Sequence, residues 1–249
     1  MHNHRYFIHL AYLGTNYFGW QKQPNQISVQ EVIEKALTQL NSNAKVEITG
    51  CGRTDTGVHA KNYYAHFDSI HELDVVVYRH KLNNMLPDDI AVFQVIKVEP
   101  TSHARFDATS RTYEYEIILS KNPFKSKTAF VFNQPVNIIE INKACELIKS
   151  YTDFECFSKV HTEVNNFNCE IYSIRWEQTA DGYLFAISAN RFLRNMVRAI
   201  VGTLLDIGQE KITLDDLEKI LQSKNRSAAG QSVPAHGLSL VQIKYSYLS

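Results

Sequence analysis

Ser28-Val29-Gln30-Glu31-Val32-Ile33-Glu34-Lys35-Ala36-Leu37-Thr38-Gln39-Leu40 is the stretch from which the fold can be read. Ser28 is a good helix N-cap, and Glu31 follows three residues later, the spacing of a capping box. Val29, Val32, Ile33, Ala36, Leu37 and Leu40 then recur at helical spacing, which predicts a helix with one apolar face. Upstream, Tyr6, Ile8, Leu10 and Tyr12 alternate as a strand, and downstream residues 46–50 and 63–68 read as two more. A helix over 75–84 leads to an apolar strand over 90–98. The first hundred residues therefore run strand, helix, strand, strand, helix, strand.

The rest of the chain repeats that order. Residues 111–119 form a strand that places Tyr113, Tyr115, Ile117 and Leu119 on one face, and a helix follows near 141–150. Two strands, 171–178 and 183–189, come next. Phe192, Met196, Ala199, Ile200, Thr203, Leu204 and Ile207 mark a long amphipathic helix, and Thr213 caps a shorter one over 214–221. The chain closes on a strand over 238–247. Twice β-α-β-β-α-β is the order of a ferredoxin-like unit, so the expected fold is α+β with two such halves, 1–105 and 106–249. The halves show no obvious residue-level repeat. The join falls in 99–110, and 120–127 reads as an exposed basic loop.

Bulk properties narrow the class. With 249 residues, 44% hydrophobic and 21% charged, the chain has the composition of an ordinary globular protein and not of a disordered or fibrous one. No run approaches the roughly 18 apolar residues of a membrane span. The N-terminal MHNHRYFIHLAYLG has no apolar core followed by a small-residue cleavage site, so a cytoplasmic protein with no membrane association is expected. Cys51, Cys145, Cys156 and Cys169 contain no C-x-x-C pair and no metal-like pattern with histidine, so no metal site is expected and the thiols are read as reduced and mostly buried. Lys+Arg and Asp+Glu are both 26, so net charge offers no argument for a polyanionic partner. Its distribution says more: residues 223–249 carry Lys224, Arg226 and Lys244 with no acid, and only Arg5 and Lys22 are charged before Glu31. Local basic faces of this kind could hold a phosphate backbone, although ordinary surface patchiness gives the same counts.

The densest unusual segment is Gly50-Cys51-Gly52-Arg53-Thr54-Asp55-Thr56-Gly57-Val58-His59-Ala60, between two strands. Three glycines permit positive φ or close ligand approach, and they surround Arg53 and Asp55 on a connection where functional residues often sit. The plainer reading is an Asx-type turn at Asp55-Thr56-Gly57 with Arg53 as its surface neighbour. Composition alone does not separate the two.

The segment resembles the signature of the TruA-type tRNA pseudouridine synthases, G-R-T-D-x-G-V-H-A, whose aspartate is the nucleophile. Gly14-Thr15-Asn16-Tyr17-Phe18-Gly19-Trp20-Gln21, His103-Ala104-Arg105-Phe106, Arg111-Thr112-Tyr113, Phe192 to Arg198, and Gly237-Leu238 resemble further family segments in the same order. Together they span nearly the whole chain. There are two departures. Leu13 stands where the family usually has an aspartate, and Val233-Pro234-Ala235-His236 replaces a more typical proline-rich approach to Gly237-Leu238.

What the resemblance implies is an isomerase that breaks the bond between uracil N1 and ribose C1′ and rejoins the base through C5. It implies no cofactor, a tRNA partner, a homodimer, target uridines at positions 38 to 40 of the anticodon arm, and a cleft between the halves that receives the RNA. Asp55 would be the nucleophile, suited by a reference pKa of about 3.9 that leaves it anionic at neutral pH. Attack at C1′ and elimination to a glycal are rival routes. A carboxylate enclosed with a base needs a cation nearby, and the resemblance makes that cation Arg198; otherwise Arg198 is a solvated helix charge. Arg53 would grip phosphate and help draw out the target nucleotide. Tyr113, on pattern a core aromatic, would stack on the target base. Leu238 would wall the same pocket, a plain core leucine being the other reading. His59, Phe106 and Trp20 are assigned to structure. Two other classes remain open: a non-catalytic RNA-binding or RNA-folding protein on the same scaffold, and a glycosidase-like hydrolase. The latter needs a second carboxylate, and 50–60 supplies only Asp55.

Overall fold

The computed structural model describes residues 4–159 and 166–248, which divide into two compact units, Met1–Thr109 with Leu240–Ser249, and Ser110–Ser239. Residues from Leu240 onward group with the first unit.

In the first unit, β1 (His4–Tyr12) runs antiparallel to both β3 (His59–Ser69) and β4 (Ile90–Val98), while β2 (Thr49–Gly50) pairs with the far side of β3. The resulting order, β4-β1-β3-β2, is that of a ferredoxin-like sheet. Tyr6, Phe7, Ile8 and Leu10 on the central β1 are all fully buried, so both faces of that strand are covered. α1 (Val29–Leu40) starts as its cap predicts, with the Ser28 hydroxyl accepting from Glu31 N at 3.2 Å. The Glu31 carboxylate turns outward to Lys35, 2.8 Å away. α2 (Val75–Met85) is capped by Asp74, which accepts from Val76 N and Val77 N.

In the second unit, β5 (Ala108–Ile118) pairs antiparallel with β8 (Gly182–Ala189), and β8 with β7 (Ile171–Gln178). That is the relation of the first, third and second strands of the same motif. β6 (Phe130–Val131) adds a short parallel pairing to β5. α3 (Ile138–Lys149), α4 (Met196–Gly208) and α5 (Leu214–Ser223) complete the unit, α5 beginning with a full capping box between Thr213 and Asp216. The last strand, β9 (Leu238–Tyr245), ends in the first unit, where the Tyr245 ring lies 5.5 Å from that of Phe7. The architecture is α+β, as expected, and its strand pairing is mostly antiparallel.

Four local expectations fail for identifiable reasons. The strand expected over 46–50 survives only at Thr49–Gly50, because side chains of α1 take its backbone hydrogen bonds: Val46 N donates to Thr38 Oγ1, Ile48 N to Glu34 Oε1, and Gln30 Nε2 to Ile48 O. The apolar alternation there reflects burial of Val46 and Ile48 against the helix, not a ladder. The long helix does not include Phe192: Asn195, with φ of 67°, stops the backbone from running helically into α4. α4 is also less amphipathic than expected, since nearly every residue from Met196 to Gly208 is buried. Finally, β5 stops at Ile118, so Leu119 leaves the shared face and is 41% exposed.

Candidate active site

The loop from Gly50 to Val58 in the first unit is held from below by aromatic side chains of other elements. Thr54 is buried, its hydroxyl 2.9 Å from Tyr12 OH on β1, and its carbonyl accepts from Trp20 N. Tyr63 OH on β3 donates to Gly52 O, and its ring lies 4.1 Å from that of Trp20. Beyond the loop, Gly57 N donates to Tyr17 O, Val58 N to Asp55 O, and Gly14 N to His59 Nδ1 at 2.9 Å. His59 and Trp20 are buried and structural as expected, and His59 serves as an acceptor, which requires that nitrogen to be unprotonated. Of the three loop glycines only Gly57 has a positive φ, 79°, at the turn after Asp55. The consequence is a backbone fixed on both sides of a half-buried Asp55, with Arg53 exposed beside it.

Gly19 is as important to this arrangement as any residue in the loop. Its φ is 83°, and a Cβ there would lie 2.3 Å from Thr54 O. Gly19→Ala should therefore cost at least about 1–3 kcal/mol of stability and displace Thr54. At roughly 2–4 °C per kcal/mol, thermal unfolding should show a midpoint several degrees lower, and an unchanged midpoint would mean that the contact relaxes freely.

The missing aspartate at position 13 has a local counterpart. Leu13 is 44% exposed, and its amide donates to Asp89 O. The Asp89 carboxylate accepts from Tyr17 OH and from Asn16 Nδ2, so an acid from the connection between α2 and β4 serves this turn. Burial first, and Asp89 second, push the Tyr17 hydroxyl far above the ordinary tyrosine range, which keeps it a donor.

In the second unit Tyr113 sits on β5 opposite Ile187, half-buried, with the Phe192 ring edge-on at 5.1 Å and 89°. Phe192, expected on a helix face, is thus a neighbour of Tyr113, a contact that helical periodicity conceals. Tyr115, two residues on, is fully buried and donates through OH to Pro234 O at 2.8 Å, so the two tyrosines have different surroundings. Arg198 lies in the first turn of α4, half-buried; its Nε donates to Val233 O at 2.7 Å, and Val233 N donates to Arg198 O. It is not the fully solvated charge of the plainer reading. Leu238 is buried, 5% exposed, at the start of β9. Phe106, assigned to structure, is 74% exposed, and that assignment is corrected.

Among the described residues no group of three or more His, Cys, Asp or Glu side chains is placed to hold a metal ion. The four cysteines are free thiols and buried. Burial pushes the Cys145 and Cys156 thiols up to about 12.

Comparison with known proteins decides what this arrangement belongs to. The tRNA pseudouridine synthase family matches residues 8–107 and 151–246. The chain belongs to that family. It is 48% identical over 242 residues to "tRNA pseudouridine synthase A" of Parabacteroides distasonis, covering 97% of this chain and 96% of that protein. The protein of the same name from Bacteroides fragilis is 48% identical over 243 residues, and that from Bacillus subtilis 38% over 239, each covering at least 95% of both chains. As a tRNA pseudouridine synthase the protein is an isomerase acting on tRNA uridines, and nothing in these comparisons favours the non-catalytic or hydrolytic alternatives. Among the described residues no helix is long and apolar enough to cross a membrane.

Proposed function

We propose that this synthase converts uridine to pseudouridine at positions 38, 39 and 40 of the tRNA anticodon stem-loop, with Asp55 as its nucleophile. The observation that carries the reading is the Asp55 loop itself, an aspartate on irregular backbone that Tyr12, Tyr17, Trp20 and Tyr63 hold in place. A nucleophile presented by pre-fixed backbone loses little entropy on meeting its target.

Each other assignment rests on chemistry together with the family resemblance. Arg198 supplies the positive charge that a carboxylate needs when it is enclosed with a base, and its Nε bond to Val233 sets the plane of the guanidinium. Tyr113 offers the extruded uracil a ring on which stacking is worth roughly 1–3 kcal/mol, with Phe192 bracing that ring from its edge. Arg53, exposed beside Asp55, takes phosphate. Leu238 gives the base an apolar wall. No cofactor enters, because the product is an isomer of the substrate: the N1–C1′ bond breaks, a C5–C1′ bond forms, and the C5 proton is exchanged for one on N1. The protein acts in the cytoplasm, where tRNA is found and buried thiols stay reduced, and as a homodimer, since a second subunit offers a bulky tRNA surface that a 28.6 kDa chain lacks.

Tyr113→Phe is expected to bind tRNA like the parent but to turn over more slowly, while Tyr113→Ala also loses stacking area and binds more weakly. Steady-state kinetics with the three proteins would remove Tyr113 from the site if all were equally active. The proposed function is tested by mapping pseudouridine in the tRNA of cells that lack this protein. Loss at 38, 39 and 40 alone is the expected result, and intact modification there would overturn the assignment of positions.

A further inference from the structure

The segment His103-Ala104-Arg105-Phe106-Asp107 is a tight turn tied at both ends around two outward residues. His103 Nδ1 accepts from both Arg105 N and Phe106 N, at 3.1 and 3.2 Å. Asp107 closes the turn from the other end: its carboxylate accepts from His103 N at 2.7 Å and from Tyr247 OH at 2.7 Å, and its amide donates to His103 O. Beneath, Ala104 is fully buried, its amide donating to His66 Nδ1 on β3 and its carbonyl accepting from Tyr245 OH at 2.6 Å. Three amides of this cradle rely on a histidine acceptor, and burial holds His66 down to about 4, so it stays a neutral acceptor at physiological pH. What the cradle presents is Phe106, 74% exposed, and the exposed Arg105, whose guanidinium lies 5.7 Å from the centroid of the Phe106 ring.

An apolar ring held outward by a rigid turn gains little for folding, because most of its area is not removed from water. An aromatic ring with a guanidinium beside it is the pair of side chains on which an unpaired RNA base stacks while its phosphate is held. From these observations we infer that the Arg105–Phe106 turn is a second RNA contact of this synthase: Phe106 stacks on an unpaired base of the tRNA and Arg105 holds the adjoining phosphate. The inference rests on the established family activity and adds a place of contact to it. The turn rests on His66, seven residues along β3 from His59, and is no part of the loop that carries Asp55. A contact outside that loop contributes to holding the tRNA and not to the bond-breaking step.

Phe106→Ala is expected to raise KM for tRNA on the order of tenfold with kcat within about twofold of the parent, and Phe106→Trp to restore KM. An unchanged thermal midpoint would accompany both, since the ring is not part of the core. The tryptophan variant also reports directly, because Trp20 and Trp176, the two native tryptophans, are each only 2% exposed. Emission from the introduced indole should be quenched on adding tRNA, and tRNA should protect it from acrylamide. Emission indifferent to tRNA in a Phe106→Trp protein that still forms pseudouridine would overturn the inference and leave the enzyme activity standing. A fall in the mass of the protein in solution on Phe106→Ala, with KM unchanged, would equally overturn it by showing the ring to be covered by a second copy of the chain.

Discussion

Asp55→Asn is expected to fold, bind tRNA and form no detectable pseudouridine. The substitution keeps the size of the side chain and replaces the carboxyl group of the proposed nucleophile with an amide. Folding survives because the backbone around it is anchored by other groups: the Tyr12 and Thr54 hydroxyls, Trp20 N on Thr54 O, Gly57 N on Tyr17 O, and Gly14 N on His59. No other acid lies between Gly50 and Ala60 to stand in for it. Losing the nucleophile of a well-studied protease costs on the order of 10⁶ in turnover, so activity here should fall to the detection limit. Affinity is measured alongside by filter binding at fixed salt, and it should hold or tighten, because one negative charge facing phosphates is gone. Turnover is read as tritium released from C5-labelled uridine in tRNA, since C5 must lose its hydrogen to bond C1′. A folded Asp55→Asn protein within tenfold of the parent would return Asp55-Thr56-Gly57 to the status of a turn.

The elements legible in the sequence are those whose signal is local. Ser28 and Thr213 mark helix starts because a hydroxyl caps amides two or three residues away, and the strands over 90–98 and 171–178 carry enough apolar residues to be seen alone. Residues 46–50 mislead because their partners, Thr38, Glu34 and Gln30, are side chains of a helix, and burial without a ladder leaves the same alternating trace. Asn195 misleads in the opposite sense: apolar residues on either side of it keep helical spacing, and only its left-handed backbone breaks the run.

The site shows the same division. The residues proposed for it, Asp55, Arg53, Tyr113 and Arg198, are read through resemblance, since each stands in a contiguous motif. The support around Asp55 is not, because Tyr12, the turn carrying Tyr17 and Trp20, and Tyr63 come from three separate parts of the first unit, and nothing in their local sequence points to Thr54 or Gly52. Phe106 is misjudged for a related reason. An aromatic in a short motif is more often buried than not, and its outward position follows from a cradle that His66, Tyr245 and Tyr247 complete from far along the chain.

Arg198 should be the second most costly position after Asp55. Its charge sits half-buried in the first turn of a helix whose neighbouring residues Met196, Val197, Ala199 and Ile200 are buried, a place where partial desolvation of a cation is unfavourable and the interactions it makes must offset that cost. Arg198→Ala removes the proposed countercharge of Asp55 and also strips Val233 O of the Nε donor at 2.7 Å. The second loss should cost about 1–3 kcal/mol of stability, as a buried carbonyl left unsatisfied does. The first should lower turnover on the order of 10³, the scale found when a preorganised electrostatic group is removed from an active site. Arg198→Lys separates the two contributions. Lysine keeps the positive charge but cannot bond Val233 O and present further planar donors at once, so charge without orientation should recover part of the activity and little of the bond to Val233. Thermal unfolding and tritium release on the three proteins would show alanine worst in turnover, lysine between, and both less stable than the parent. Turnover of Arg198→Ala within tenfold of the parent would leave Arg198 as a structural tie between α4 and Val233, and the countercharge of Asp55 would have to be sought elsewhere.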